Sequence, residues 1–414
     1  MGQPLSLPRS KSGRTVVVGA GKASAAFAQA FESRASMASL RVDDSLVICP
    51  HGTSLPTQQI ILREAAHPIP DEASVKAASE IMKLAQGLGE DDTLIVLLSG
   101  GGSALMSLPH EGVTLSEKRA LIDALLKSGA SIEEINCVRK HISAIKGGGL
   151  ARAAYPARVV TYSISDVVGD DPAVIASGPT VADPTTSARA LEVLRTFNIE
   201  PSPSITALLI HAKSETAKPG DQAFDNASYH LVCTPHDALS AAHALAEEIR
   251  PDLNVHFLGD DLEGEAARVA EDHAARVREL QSMAGSHLLL SGGELTVTFD
   301  ETTKNASPVG GPNQEYVLAL LKALGSADNI WALAADTDGR DGNSDNAGAL
   351  FEPGTFARTM ALLPSLDDSL RSHTSGTFLE ALGQTFVTGP THTNVNDFRA
   401  ILILNQDART FKRS

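Results

Sequence analysis

Apolar positions along this chain fall into two alternating rhythms. Thr15-Val16-Val17-Val18 is a short run with few polar interruptions, the pattern of a strand buried on both faces. It is followed by an alanine-rich stretch, Lys22 to Glu32, in which Phe27 and Phe31 stand four apart on one helix face. The rhythm then repeats. Ser45 to Cys49 predicts a second strand, Asp71 to Gln86 a helix, Thr93 to Leu98 a third strand and Arg158 to Ile164 a fourth. Strands alternating with helices predict a parallel sheet with helices on both faces. In such sheets ligands bind outside the carboxyl ends of the strands, so chemistry is expected in the strand-to-helix loops.

From Pro201 to Ala227 proline, serine, lysine and aspartate become denser, which predicts a peripheral excursion or the approach to a boundary. Tyr229 to Cys233, a helix from His236 to Arg250 and a strand from Asn254 to Leu258 resume the rhythm. His287 to Phe299 predicts a hairpin turning at Gly292-Gly293. A helix from Asn313 to Leu324 and strands Ile330 to Ala335 and Phe398 to Leu404 complete a second α/β unit.

A length of 414 residues exceeds what one core usually serves, in line with two domains. The net charge of -16 argues against nucleic acid or an anionic membrane as partner. It also means that any site for an anion must hold its own cluster of cations. Three cysteines without paired spacing exclude a disulfide scaffold or a cysteine zinc site and fit a reducing compartment. No apolar run approaches the ~20 residues that span a bilayer, and the first ten residues lack the core of a signal peptide, so a cytoplasmic protein is expected.

Six stretches could carry chemistry. Gly19-Ala20-Gly21-Lys22-Ala23-Ser24 places glycines and a lysine between strand and helix, where backbone N–H groups meet anions. Val16 stands where a Walker A loop needs glycine, and Ser24 replaces the third glycine of the dinucleotide fingerprint. Ser99-Gly100-Gly101-Gly102-Ser103 follows a strand directly; three glycines there predict a backbone nest around an anion. A helix over Asn136 to Lys146, closed by Gly147-Gly148-Gly149, would place Asn136, Arg139, Ser143 and Lys146 on one face, suited to a carboxylate or phosphate. Ser165-Asp166 and Asp336-Thr337-Asp338-Gly339-Arg340-Asp341 put carboxylates at strand ends, where they can hold Mg2+ or accept a hydroxyl proton. Thr388 to Asp397 is dense in hydroxyl and amide groups. Glycine loops, cations and strand-end carboxylates are together the parts of phosphoryl transfer.

These stretches resemble the glycerate 2-kinase family, whose bacterial members often carry a hydroxypyruvate-reductase label. The likeness rests on GAGKAS from Gly19, HPIPDEAS from His67, LLSGGGSAL from Leu97 and INCVRKHISAIKGGGLA from Ile135. It continues through SISDVVGDDPAVIASGPTVADPTT from Ser163, LLSGGELTVT from Leu289, AADTDGRDG from Ala334 and VTGPTHTNVNDF from Val387. The resemblance implies an α/β protein. A Rossmann-like N-terminal domain with a parallel sheet would cover residues 12–235, and a smaller C-terminal MOFRL-type domain residues 285–404, with the active site in a cleft between them. It implies ATP and Mg2+ as cofactors and D-glycerate as the hydroxy acid, giving 2-phosphoglycerate, with a homodimer as one open arrangement.

Lys22, Asp166, Asp338 and Arg340 are the expected catalytic residues, and Asp336 and Asp338 the expected metal ligands. Gly21, Ser99, Gly100, Gly101, Gly102, Ser103, Arg139, Lys146, Glu294, Asn313, Glu315, Asn394 and Asn396 are expected to bind phosphate or substrate. One departure stands out: the family's GGRNQE reads Gly310-Gly311-Pro312-Asn313-Gln314-Glu315 here, so an arginine is missing and Arg340 is the candidate to replace its charge. The alternatives are a kinase of a tetronate or aldonate, a hydroxypyruvate reductase, and a non-catalytic homologue that binds acid or nucleotide.

Overall fold

A computed structural model describes residues 13–211, 214–299, 309–326, 328–362 and 365–404. The chain divides into two compact units between Cys233 and Thr234.

In the first unit β1 (Thr15–Ala20), β2 (Asp44–Pro50), β3 (Leu62–Ala65), β4 (Thr93–Leu98), β5 (Arg158–Ile164) and β6 (Ala227–Cys233) form one sheet in the order β3-β2-β1-β4-β5-β6. Every neighbouring pair is parallel. β1 and β4 are buried at every position, which is why they read as nearly unbroken apolar runs. Successive residues feed opposite cores. Val16, Val18, Leu94 and Val96 pack with Ala77 and Ile81 of α2 (Glu72–Gln86), whereas Val17, Ile95 and Leu97 pack with Phe27 and Phe31 of α1 (Ser24–Met37). Each large apolar side chain buried this way contributes roughly 1.5–3 kcal/mol. α2 starts where Asp71 Oδ1 accepts from Ser74 N at 2.9 Å and Ser74 Oγ accepts from Asp71 N at 3.1 Å.

Between β4 and β5 lie the one-turn α3 (Gly102–Leu105), α4 (Leu115–Lys127), α5 (Ile132–His141) and α6 (Gly149–Ala154). α4 and α5 share a separate core with later helices, built on Leu121, Leu125, Ile135, Val138 and Val193. The helix expected to run from Asn136 to Lys146 stops at His141. Past it, Ser143 bridges to Pro109, and Ser143 Oγ and Ala144 N both donate to Leu108 O at 3.0 Å. These contacts draw the chain out of the helix. Lys146 therefore shares no helix face with Arg139, and the triple glycine leads into α6 instead of closing α5.

The second unit holds β7 (Leu253–Glu265), β8 (Ser286–Thr296), β9 (Ile330–Asp336), β10 (Gly348–Phe351), β11 (Thr385–Phe386) and β12 (Asp397–Ile403) in the order β11-β10-β9-β12-β8-β7. Only β7 and β8 run parallel. The helix Pro312–Leu324 is buried from Asn313 to Leu321 against this sheet. The expected hairpin over His287 to Phe299 is absent: β8 runs straight through Gly292-Gly293, with β7 on one side and β12 on the other. Gly293 has φ +97, and a Cβ there would strike the backbone of Leu262, where the register of β7 shifts. The glycines serve a close approach of bulged strands, not a turn.

Candidate active site

The strand order reverses between β1 and β4, whose following helices pack on opposite faces of the sheet, so the carboxyl ends there are the switch point at which such sheets bind ligands. The loops leaving these strands are tied to each other. Lys22 N donates to Gly100 O at 2.7 Å, Ala23 N to Ser99 Oγ at 3.1 Å and Ser99 N to Ala20 O at 3.2 Å. Ser24 Oγ donates to Gly21 O and to Ile48 O, both at 2.7 Å, which pins the first loop down. Lys22 is thereby held against the glycine loop. A Cβ on Gly101, whose φ is +77, would lie 3.1 Å from Lys22 Cγ and 2.8 Å from His67 Nε2. A Cβ on Gly100 would overlap the carboxylate of Asp166, which follows β5. Bare backbone at these two positions lets a lysine, a histidine and a carboxylate close on one loop. Gly21, Lys22, Ser99, Gly100, Gly101, Gly102, Ser103 and Asp166 thus come together at the ends of β1, β4 and β5.

Beside the loop lies a cavity of about 630 Å3, lined by His67, Gly101, Ser103, Ser107, Lys118 and Arg139 and by the apolar Ile69, Pro70, Ile122 and Leu126. Lys118 is 4% exposed and donates to Ser107 Oγ at 3.0 Å. Lys146 is 1% exposed and donates to Ser103 O at 2.7 Å, behind the loop. Arg139 Nη1 donates to Asn136 Oδ1 at 2.8 Å. Burial, helped by the Arg139 charge, pulls the Lys118 ammonium down to about 7. Burial, then Lys118 and Arg139, push Lys146 well below the lysine range. Among the described residues no carboxylate stands within ion-pair distance of these three cations, whereas Lys140, beside Arg139 in sequence, pairs with Asp183 at 3.5 Å. Arg139 and Lys146 were legible from their motif. Lys118 and His67 were not assigned a role, although Leu115, Lys118, Leu121 and Leu125 put a lysine inside an apolar helix stripe, a readable signal.

In the second unit Asp338 N donates to Asp336 Oδ1 and Arg340 N to Asp338 Oδ1, both at 2.9 Å, so the loop after β9 curls through two successive Asx turns. The 388–396 loop is stitched to it: Thr337 Oγ1 donates to Asn396 O at 2.7 Å and accepts from Val395 N at 2.8 Å. Asp336, Asp338, Asn394 and Asn396 therefore sit together. Asn396 is buried at φ +61, and its Nδ2 has no acceptor among the described residues. Arg340 pairs with Asp345 at 2.7 Å, and both are exposed.

Asn313 is enclosed in the interior. Its Nδ2 donates to Asp397 Oδ1 at 2.6 Å and to Asp341 Oδ1 at 3.3 Å. Asp341 also accepts from Asn313 N and Gln314 N, capping the helix that opens at Pro312. Burial, with Asp397 adding its charge, pushes Asp341 up to about 7 against those hydrogen bonds. The fully buried Arg399 pairs with Asp397 at 2.6 Å. Glu315 lines a second cavity of about 280 Å3 with Pro312, Phe299 and His373. Its carboxylate accepts from Ser375 Oγ at 2.9 Å and meets His373 Nδ1 at 3.0 Å, and burial raises its pKa. Glu294 is exposed on β8, in register with Glu263.

A parallel sheet with a lysine, a glycine loop and a carboxylate at its switch point defines an α/β enzyme with a small-molecule site. Comparison narrows the class. A domain of unknown function, DUF4147, matches residues 2–210 and the MOFRL family residues 287–397. The D-glycerate 2-kinase of Thermotoga maritima is 36% identical over 403 residues, 96% of this chain and 93% of that protein. A crystal structure of glycerate kinase from the same organism superposes with a TM-score of 0.85 over 95% of this chain and 92% of that one. A relative from Agrobacterium vitis with a provisional hydroxypyruvate-reductase name is 47% identical over 96% of this chain and 89% of its own length. The chain belongs to the glycerate 2-kinase family.

Proposed function

We propose that the chain transfers the γ-phosphoryl group of ATP to the 2-hydroxyl of D-glycerate. The observation that carries this reading is the placement of Lys22 and Asp166 against adjacent glycines of one loop at the switch point. Phosphoryl transfer asks for positioning, a cation on the transferring group and a base at the accepting hydroxyl. Lys22 stabilises the negative charge on the transferring oxygens. Asp166 takes the hydroxyl proton as the new O–P bond forms and the bond to the departing ADP oxygen breaks. The glycine loop, with Ser99 and Ser103, offers N–H and hydroxyl donors without side chains in the way. Relatives named glycerate 2-kinase support the choice of reaction.

Mg2+ characteristically takes one or two carboxylates and fills its shell with water and phosphate oxygens, where it neutralises phosphate charge. Asp336 and Asp338 are hard oxygen donors in one turn and fit that role; among the described residues no group of three or more His, Cys, Asp or Glu forms a closed cage. Three unbridged cysteines support a cytoplasmic setting, where thiols stay reduced. The test is D-glycerate-dependent ADP release. Lys22→Ala and Asp166→Asn are each expected to lower it ~100-fold or more in folded protein, and undiminished turnover in both would sink the assignment.

A further inference from the structure

Arg139 lies close enough to depress Lys118, and both depress Lys146, while no carboxylate among the described residues stands within ion-pair distance of the three; Asp123, on the same cavity, pairs with Lys127. Removing an ammonium from water costs several kcal/mol unless it is paired. A leucine or methionine at position 118 would extend the stripe of Leu115, Leu121 and Leu125 at no such cost. Hydrogen bonds to Ser107 and Ser103 satisfy the Lys118 and Lys146 ammonium groups but leave their charge unbalanced, so the cluster's counter-charge is expected to come from outside the chain. Its position says where: Lys118 and Arg139 line the cavity with Gly101 and Ser103, and Lys146 holds the Ser103 carbonyl from behind.

Two features select the ligand. Three cations line the cavity, Lys118, Arg119 and Arg139, and its one carboxylate, Asp123, pairs with Lys127, so the lining matches a group bearing several negative charges, a phosphate chain, better than a single carboxylate. The cavity, about 630 Å3, is much larger than a three-carbon acid, and its wall at Ile69 and Ile122 is apolar, suited to a flat heterocycle and not to a polyhydroxy acid. We infer that this cavity is a nucleotide site, with Lys118 and Arg139 binding the phosphate chain beside the glycine loop and the base lying against the Ile69–Ile122 wall. The inference deepens the kinase reading and rests on it for the identity of the nucleotide.

Calorimetric titration of the full chain tests it, with ADP, tripolyphosphate and D-glycerate each added alone. Lys118→Met and Arg139→Met should each weaken ADP and tripolyphosphate by about 10- to 100-fold, the value of one hydrogen bond to a charged group, and leave D-glycerate unchanged. The melting temperature of Lys118→Met should hold or rise, because a buried charge is removed, which separates a ligand role from a structural one. Weaker D-glycerate binding with ADP unchanged would overturn the inference and give the cluster to the acid's carboxylate. Unchanged affinity for all three ligands would overturn it as well. If ADP binding responds as expected but wild type transfers nothing to glycerate, the nucleotide site stands and the kinase reading falls.

Discussion

Lys22 and Asp166 reach the same loop from two different strands: Lys22 Cγ sits against Gly101, and the Asp166 carboxylate sits against Gly100. The two roles of the proposed transfer, charge neutralisation and proton acceptance, therefore fall on side chains whose spacing is set by the β1–β4–β5 order of the sheet. Lys22→Ala should lower kcat by ~100- to 1,000-fold, as loss of one preorganised donor does. Asp166→Asn should lower it by ~100- to 10,000-fold, the usual span for a general base. Steady-state kinetics with both variants checks this, and KM for the acid should move far less than kcat.

Gly100→Ala is expected to act through Asp166. The added methyl group must displace the carboxylate, since a Cβ at this position would overlap it. Activity should fall nearly as far as in Asp166→Asn, and the two changes should be strongly non-additive in a double-mutant cycle. Additive losses would mean that Gly100 matters for some other reason.

Lys118 gives a pH dependence of defined sign. Its folded-state pKa is depressed, to about 7, below that of the unfolded chain. Above that pKa the native state has lost a proton that the unfolded state still holds, so unliganded stability should rise with pH between pH ~7 and ~10, by at most ~1.4 kcal/mol per unit. Phosphate binding should run the opposite way, weakening above pH ~7 as the ammonium neutralises. Arg139, Lys146 and His110 also face this group, and all three are depressed by burial, so Lys118→Met is the control that isolates it. Thermal melts and titrations across that range should lose both slopes in the variant.

Much of this site was readable along the chain, for a physical reason. β1, β4 and β5 are covered on both faces, so their sequences are apolar without alternation, and the glycines and charges at their ends stand out. What escaped depends on distant partners. Ile135, Val138, Ile142 and Ile145 keep helical spacing up to Lys146, but Leu108 and Pro109 capture the backbone at Ser143. Gly292-Gly293 resembles a hairpin turn locally; the bulge in β7 and the pairing with β12 make it strand interior. Lys118 stands in the stripe of Leu115, Leu121 and Leu125, which is a readable signal, but a lone charge in a helix is ordinarily solvated, so its burial emerges fully only in the packed structure.

Asn313 and Asp341 form a strut whose removal should be felt in stability. Asp341 caps the helix beginning at Pro312 and accepts from the Asn313 side chain, which also ties Asp397. Asn313→Ala leaves two buried carboxylates short of donors and should destabilise the protein by about 1–3 kcal/mol. Denaturant unfolding measures this directly.

The central claim is that phosphate moves from ATP to glycerate at the Lys22–Asp166 loop. The most direct measurement is coupled ADP release with D-glycerate and Mg2+, run beside a panel of tetronates and aldonates and beside NADH oxidation with hydroxypyruvate. The account predicts ADP release with D-glycerate, formation of 2-phosphoglycerate, loss of both in Lys22→Ala, and no oxidation of NADH. Hydroxypyruvate-dependent NADH oxidation with no ADP release from any acid would contradict it.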